Sequence, residues 1–245
     1  KLKAASLNFR DLLVRDGAYN PRFRLPLVPV SDGAGEVVAI GSDVRQISIG
    51  QRVMIAYMEG WQDGPLSDEI RRTTLGGPVD GVLRQYRLVA EADIVQVPKD
   101  LSFADAACLP CAGVTAWAAL HDHCKVKAGD WVLVQGTGGV SLFALQFATA
   151  MGARVAVISS SDEKLKVAKS LGADHLHNYK TEPDWAPAIL GAIGPMDHVI
   201  EVGGAGTLKA SLKVVATAGN VALIGVLAGV ETPLAVTSVL MRAIK

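Results

Sequence analysis

The sequence predicts a two-domain α/β protein: a compact all-β barrel or sandwich followed by a doubly wound parallel sheet covered by helices. Three observations predict it. Short β-rich runs broken by glycine fill residues 26 to 100, strands and helices alternate from Ala128 onward, and Trp131 to Ser160 reads strand, glycine turn, helix, strand.

In the first part the β-rich runs are Gly35-Glu-Val-Val-Ala-Ile, Gly50-Gln-Arg-Val-Met-Ile, Val82 to Val89 and Ile94-Val-Gln-Val-Pro98. Short strands at this spacing suit a small barrel. Between them, Glu59 to Asp80 is polar and carries Gly-Pro and Gly-Gly signals, so it is expected to be a surface excursion, of a length that fits a lid or an interface loop. In the second part, strands are expected at 131–135, 154–158, 197–202 and 220–225, with a weaker one near 175–178. Helices fit 139–151, 162–171, 184–192 and 204–214. Such alternation implies a parallel sheet with both faces covered. The helix from 139 is apolar on nearly all sides and is expected to be buried between sheet and neighbouring domain. The domains are expected at 1–112 and 113–245. The chain opens without methionine in a strand-like run and stops in an apolar, helix-like run, Val239 to Lys245, so it is expected to be a segment of a longer protein.

Composition narrows the partners. Half of the 245 residues are hydrophobic, enough for a full core, and Lys+Arg and Asp+Glu both number 24. Without a net charge or a basic run, a nucleic-acid or membrane-surface footprint is not expected, and the expected partner is a small molecule. No apolar run approaches the ~18 residues of a membrane span, and no signal peptide is visible. Three cysteines suit a reducing cytoplasm better than a disulfide framework.

The turn Gly136-Thr-Gly138-Gly139-Val-Ser141 lies between a strand and a helix inside a βαβ unit, the context a dinucleotide site requires. Glycines let backbone N–H groups approach a pyrophosphate at the positive end of the helix, so Thr137, Gly138, Gly139 and Val140 are the expected phosphate contacts. Ser141 replaces the third glycine. At the end of the second strand an acidic residue would bind the ribose hydroxyls and repel a 2′-phosphate; here Ser159 stands there. Ser159, Ser160 and Ser161, with Lys164 one turn into the next helix, can hold a dianionic phosphate, so NADP(H) is favoured over NAD(H). The same stretch also reads as a capping box with Ser160 as N-cap and Glu163 reaching back, and both readings can hold.

Cys108, Cys111, His121, His123 and Cys124 include ligand types, but their spacing fits neither zinc-finger nor ribbon patterns, and an apolar helix over 112–120 would separate the two groups. Buried packing cysteines and surface histidines are expected.

Taken together, Ala4-Ala-Ser-Leu-Asn-Phe-Arg-Asp11, Asp32-Gly-Ala-Gly-Glu-Val-Val38, Gly50-Gln-Arg-Val53, Gly113-Val-Thr-Ala-Trp117 and Gly136 to Ser141 resemble the medium-chain dehydrogenase/reductase superfamily, in its zinc-free quinone oxidoreductase-like branch. The resemblance implies a GroES-like β-barrel substrate domain, a Rossmann domain, an active site in the cleft between them, and a homodimer formed through a carboxy-terminal strand outside this chain. Where zinc-dependent members place their three ligands, this sequence has Asn8, Ser31 and Cys111; one soft ligand of three remains, and no catalytic metal is expected. The proton-relay hydroxyl would fall at Arg10, and the 59–80 excursion has no cysteine for a structural zinc lobe. The resemblance makes Asn8 an orienting donor and Tyr19 a proton donor, and gives Thr115 and Tyr179 to the cofactor. Gly203 is expected to line the cofactor trough, and Gly225, Val226 and Leu227 to offer backbone groups to the nicotinamide amide. Arg10, Asp11 and Asp32 are expected to form a structural ion-pair set. The implied activity is NADPH-dependent hydride transfer to an activated double bond or quinone. The alternatives are a zinc-independent alcohol dehydrogenase and an NADP-binding sensor or structural protein with little turnover.

Overall fold

The computed structural model describes residues 1–245, which separate into two compact units, Lys1–Val114 and Thr115–Lys245. The first unit is built on a four-stranded antiparallel sheet in the order β1-β2-β3-β4, from β1 (Leu2–Ser6), β2 (Asp32–Glu36), β3 (Arg52–Ile55) and β4 (Ile94–Gln96). Strands β1 and β2 approach so closely that a Cβ on Gly35 would lie 2.1 Å from the Lys1 carbonyl oxygen; only glycine fits there. Helix α1 (Phe9–Arg15) starts where the Asp11 carboxylate accepts a 2.8 Å hydrogen bond from the Asn8 backbone N–H, and stops at Gly17, whose φ of +69° an L side chain resists.

Two expectations for this unit are corrected. The run 82–89 forms no strand: Val82 N–H donates to the Val30 carbonyl at 2.8 Å and Leu2 N–H to the Gln85 carbonyl at 2.9 Å, but no continuous ladder follows, and Leu83, Tyr86 and Leu88 are exposed. A β-rich composition makes a strand only where a neighbour pairs along its length. Nor is 59–80 wholly a surface excursion. Residues 60–69 are exposed around the short helix α2 (Asp68–Arg71), but Leu75 is fully buried and packs with Val30, Ile55 and Val82. That one apolar side chain pins the end of the segment into the core.

The second unit holds a five-stranded parallel sheet in the order β7-β6-β5-β8-β9. Its elements are α3 (Leu208–Val214), α4 (Trp185–Ile193), α5 (Gly139–Ala150) and α6 (Asp162–Ser170) around β5 (Trp131–Gln135), β6 (Arg154–Ser159), β7 (His175–Asn178), β8 (Met196–Glu201) and β9 (Val215–Leu223). Alternate residues serve opposite faces. Val132, Val134, Val155 and Val157 pack with Leu145, Ala148, Leu165 and Ala168 from α5 and α6. Leu133, Ala156, Ile158 and Val199 pack with Ile189 and Leu212 from α4 and α3.

Here too the boundaries shift. Helix α5 buries Ala144, Leu145 and Ala148 but leaves Val140, Phe143 and Phe147 half-buried, so it is not enclosed on all sides. The expected helix 204–214 is a short 3₁₀ turn at Gly204–Gly206 followed by α3, and β9 begins at Val215 rather than 220, with an irregular register between Met196 and His198. Residues 239–245 are not one helix. A turn of helix at Val236–Leu240 ends, and Lys245 then exchanges backbone hydrogen bonds with Gly219 (3.0 Å) and Val221 (2.8 Å).

Candidate functional site

In the second unit the chain winds outward from β5 to β6 and β7, then returns to place β8 and β9 on the other side, so the winding reverses between β5 and β8. Ligands of such sheets bind at the carboxyl ends of the strands beside that reversal. Gly136, at φ +71°, turns the chain out of β5, and Gly138 stands at the N-terminus of α5, where an added Cβ would meet nothing within 4 Å. Open space above unpaired helix N–H groups is what a phosphate needs, so the turn fits a dinucleotide. Ser141 fits in place of the third glycine because its buried hydroxyl donates to the Gln135 carbonyl at 2.7 Å.

The fold brings Thr137, Ser159 and Tyr179 together at neighbouring strand ends. The Thr137 and Ser159 hydroxyls lie 3.4 Å apart, and the Tyr179 N–H donates to the Ser159 carbonyl at 3.1 Å. The N-cap of α6 is Ser161 rather than Ser160: its hydroxyl accepts the Lys164 N–H at 3.4 Å and donates to the Glu163 carboxylate at 2.8 Å. Ser160 is thereby left exposed. The Asp162 carboxylate accepts from the Asn178 amide at 2.7 Å, so both acidic groups of this turn are engaged while Lys164 is exposed.

At the end of β8 the Glu201 carboxylate is fully buried and surrounded by donors. One oxygen accepts from the N–H of Gly203 (2.8 Å), the N–H of Gly204 (3.0 Å) and the Thr207 hydroxyl (2.5 Å). The other accepts from the Gln135 amide (2.7 Å) and the Ser211 hydroxyl. The loops after β8 and β9 then meet backbone to backbone: Ala228 N–H donates to the Gly203 carbonyl (2.7 Å), and a Cβ on Gly225 would lie 2.4 Å from the Val202 oxygen. Gly203, Gly225, Val226 and Leu227 are thus one hydrogen-bonded assembly at the strand ends. Thr115 lies half-buried in a separate helical turn, Val114–Trp117, with no hydrogen bond to this edge.

The first unit carries a candidate group of its own. The Arg10 guanidinium is buried, donating to the carbonyls of Leu75 (3.0 Å) and Gly77 (3.1 Å), 3.4 Å from an Asp11 carboxylate oxygen. It sits 5.1 Å from the Tyr19 ring and 5.4 Å from the Tyr57 ring, within cation–π range of both. Burial holds the Tyr57 phenol well above its usual range despite that cation. Nδ2 of Asn8 is shielded from solvent, and the Asn8 side chain is a donor to the buried Asp32 carboxylate, whose proton affinity it lowers. Tyr19 is half-exposed and lines a cavity of about 520 Å³ with Arg22, Phe23, Tyr57 and Arg72.

Asp32 is not part of the expected ion-pair set; that set reduces to Arg10 and Asp11. The Asp32 oxygens accept instead from the Ser31 hydroxyl (2.7 Å), the Asn8 side chain and the Cys111 N–H (3.0 Å). Burial raises the Asp32 carboxyl above its ordinary 3.8, and the Asp11 charge pushes the same way, against those donors. A carboxyl that holds its proton more tightly when folded contributes stability in full below its unfolded value and loses it as pH rises through the raised one. An Asp32→Asn variant should therefore gain stability relative to the parent as pH rises through that window. Urea midpoints measured between about pH 3.5 and 7 check this, and a difference independent of pH would contradict it.

The cysteine and histidine group resolves into packing and surface roles. Cys124 is buried, its thiol pushed up to about 11 by desolvation, while His121 and His123 are exposed and His121 meets Asp122 at 2.7 Å. No three His, Cys, Asp or Glu side chains are grouped so as to hold a metal ion. Sequence reasoning missed the donor ring around Glu201, the place of Tyr57, and the cavity with its arginines. Only the first had a signal, an acidic residue closing an apolar strand before Gly-Gly.

A doubly wound parallel sheet with a glycine turn after its first strand, joined in one chain to a small β-domain, is the architecture of nucleotide-dependent oxidoreductases. Two families match in sequence: the alcohol dehydrogenase GroES-like domain over residues 1–99 and the zinc-binding dehydrogenase over 139–245. The chain belongs to the medium-chain dehydrogenase/reductase superfamily, in its alcohol dehydrogenase and quinone oxidoreductase-like branch. It is 47% identical to a zinc-type alcohol dehydrogenase-like protein of Schizosaccharomyces pombe, over 98% of this chain and 70% of that one. A solved structure from Sinorhizobium meliloti, assigned provisionally to the alcohol dehydrogenases, is 42% identical with a TM-score of 0.89 over 100% of this chain and 73% of its own. A 2-haloacrylate reductase is 30% identical with a TM-score of 0.75 over 98% and 68%. The protein is thus an NAD(P)-dependent oxidoreductase acting by hydride transfer.

Proposed function

We propose that the protein is an NADPH-dependent reductase of activated double bonds or quinones, and that it works without catalytic zinc. The observation that carries this reading is Asn8: where zinc-bearing members hold a ligand, this chain presents a solvent-shielded amide beside the buried Asp32 carboxylate. A carboxamide has two N–H donors, so one can face Asp32 while the other donates to a substrate oxygen. NADPH, when bound, supplies a hydride to the β-carbon of the conjugated system. The electron pair of the double bond then moves onto the substrate's carbonyl oxygen, where the Asn8 amide is the donor that stabilises the developing charge. Tyr19, held against Arg10, donates the proton that completes the saturated product, directly or through water. Thr137 to Val140 hold the pyrophosphate, Gly203 and Gly225 to Leu227 line the nicotinamide end, and Thr115 is the further contact to it. Ser159, Ser160, Lys164 and Tyr179 receive the 2′-phosphate. The 2-haloacrylate reductase among the similar structures acts, by its name, on an activated double bond, which supports the reading.

The test is fluorescence titration of the full-length protein with NADPH and NADH, followed by NADPH oxidation against a panel of quinones and enones. Asn8→Ala and Tyr19→Phe are each expected to lower kcat by about 10²-fold or more on the substrate found. Unchanged turnover in both would overturn the catalytic assignment. Tight NADPH binding with no turnover on any panel member would favour a sensor instead.

A further inference from the structure

We propose that the cavity beside Tyr19 is a subsite for an anionic group, so that the preferred substrate is an enone or quinone bearing a carboxylate, sulfonate or phosphate away from its reacting bond. The assignment of the reacting end rests on the reductase reading above; the anion site stands on its own observations.

The cavity, of about 520 Å³, lies wholly within the first unit and is of small-molecule size. Three arginines line it, Arg22, Arg71 and Arg72, and not one of its lining residues is acidic. In a chain with 24 basic and 24 acidic residues, that imbalance is local. Arg71 meets Asp68 at 3.0 Å in a pair exposed on both sides, an arrangement that holds little. Arg22 and Arg72 form no salt bridge and are the two cations available to a ligand. The backbone N–H of Arg22 is held by the Asn20 side chain at 3.0 Å, which fixes the turn from which its guanidinium projects.

The remaining wall is apolar and fixed. The Phe23 ring lies where a Cβ on Gly77 would come within 2.7 Å of it, and its centroid is 6.1 Å from that of Tyr19. Arg22 and Arg72 are exposed, so an anion reaches them from solvent and is held by charge-assisted hydrogen bonds from planar guanidinium groups, with its apolar body against the wall. The lining thus combines an apolar wall and the Tyr19 and Tyr57 phenols with guanidinium groups. An amphipathic substrate with an apolar body and an anionic end matches that combination; a neutral one leaves the arginines unanswered.

The experiment uses the full-length protein and two probes: a straight-chain enone with a terminal carboxylate, and the methyl ester of the same compound. The wild type is expected to prefer the acid, through KM, and to lose that preference as salt rises. In the Arg22→Gln/Arg72→Gln variant the acid-to-ester ratio of kcat/KM is expected to fall at least about tenfold, with Arg72→Lys retaining part of it. Equal use of acid and ester by the wild type at low salt, or a ratio the double variant does not move, would overturn the proposal. If neither probe is reduced, the reductase reading is what fails, and calorimetric titration with the saturated carboxylate decides the anion site. Binding weakened about tenfold in the double variant then sustains it, and no binding to the wild type ends it.

Discussion

Glu201→Ala is expected to cost about 3–5 kcal/mol of stability, a large part of the ~5–15 kcal/mol that holds a typical domain together. The carboxylate is fully buried, and removing it leaves the Gln135 amide, the Ser211 and Thr207 hydroxyls and the N–H groups of Gly203 and Gly204 without their acceptor. Each stranded donor costs about 1–3 kcal/mol, and entry of water into the space reduces the sum. Because two of these donors belong to the loop that clasps Gly225 to Leu227, NADPH affinity should fall with stability. Glu201→Gln separates the two effects. It keeps the volume but turns one acceptor into a donor facing donors, so a smaller loss is expected, still with weakened NADPH binding. Urea unfolding and a fluorescence titration on the same samples check both. An alanine variant within about 1 kcal/mol of the parent would show that the donors find other partners.

Ser159→Asp should reverse the cofactor preference, weakening NADPH by about tenfold to a hundredfold while sparing or improving NADH. A carboxylate at the end of β6 would accept the ribose hydroxyls and repel a 2′-phosphate. In the native chain the nearby acids are diverted: Asp162 is taken by Asn178, and Glu163 by Ser161. Lys164→Ala is expected to move the same way by about tenfold, since it removes a cation but adds no repulsion. Steady-state kcat/KM for the two nucleotides gives the answer. A native preference for NADH, or variants that leave the ratio unmoved, would show that Ser159 to Lys164 caps α6 and nothing more.

These two predictions differ in how visible their grounds were beforehand. The parallel sheet and its glycine turn were legible because their signals are local: a glycine-rich run between a strand and a helix, inside a regular alternation of the two. Even there the cap fell on Ser161 rather than Ser160, since neighbouring serines offer the same hydroxyl and only the backbone path selects one. The Glu201 ring was not legible. Its donors come from Gln135 on β5, the loop after β8, and Ser211 on α3, which are far apart in the chain and meet only when the parallel sheet forms.

The first unit shows the same division more sharply. The glycine-broken β runs announced a small sheet, yet whether 82–89 would pair depended on a neighbouring strand and not on its own alternation. Leu75 inside a polar segment gave no local sign that it would anchor that segment in the core. The alternation of strand and helix and the glycine turn after β5 were determined by the order of residues alone, because each depends on spacing within a few turns of chain. The Asn8 amide against the Asp32 carboxylate, the Arg10 guanidinium between two phenol rings and the three arginines at one cavity were decided only by tertiary structure. Burial, and the partner a polar atom finds or lacks, are properties of segments brought together from across the chain, and no stretch of sequence carries them by itself.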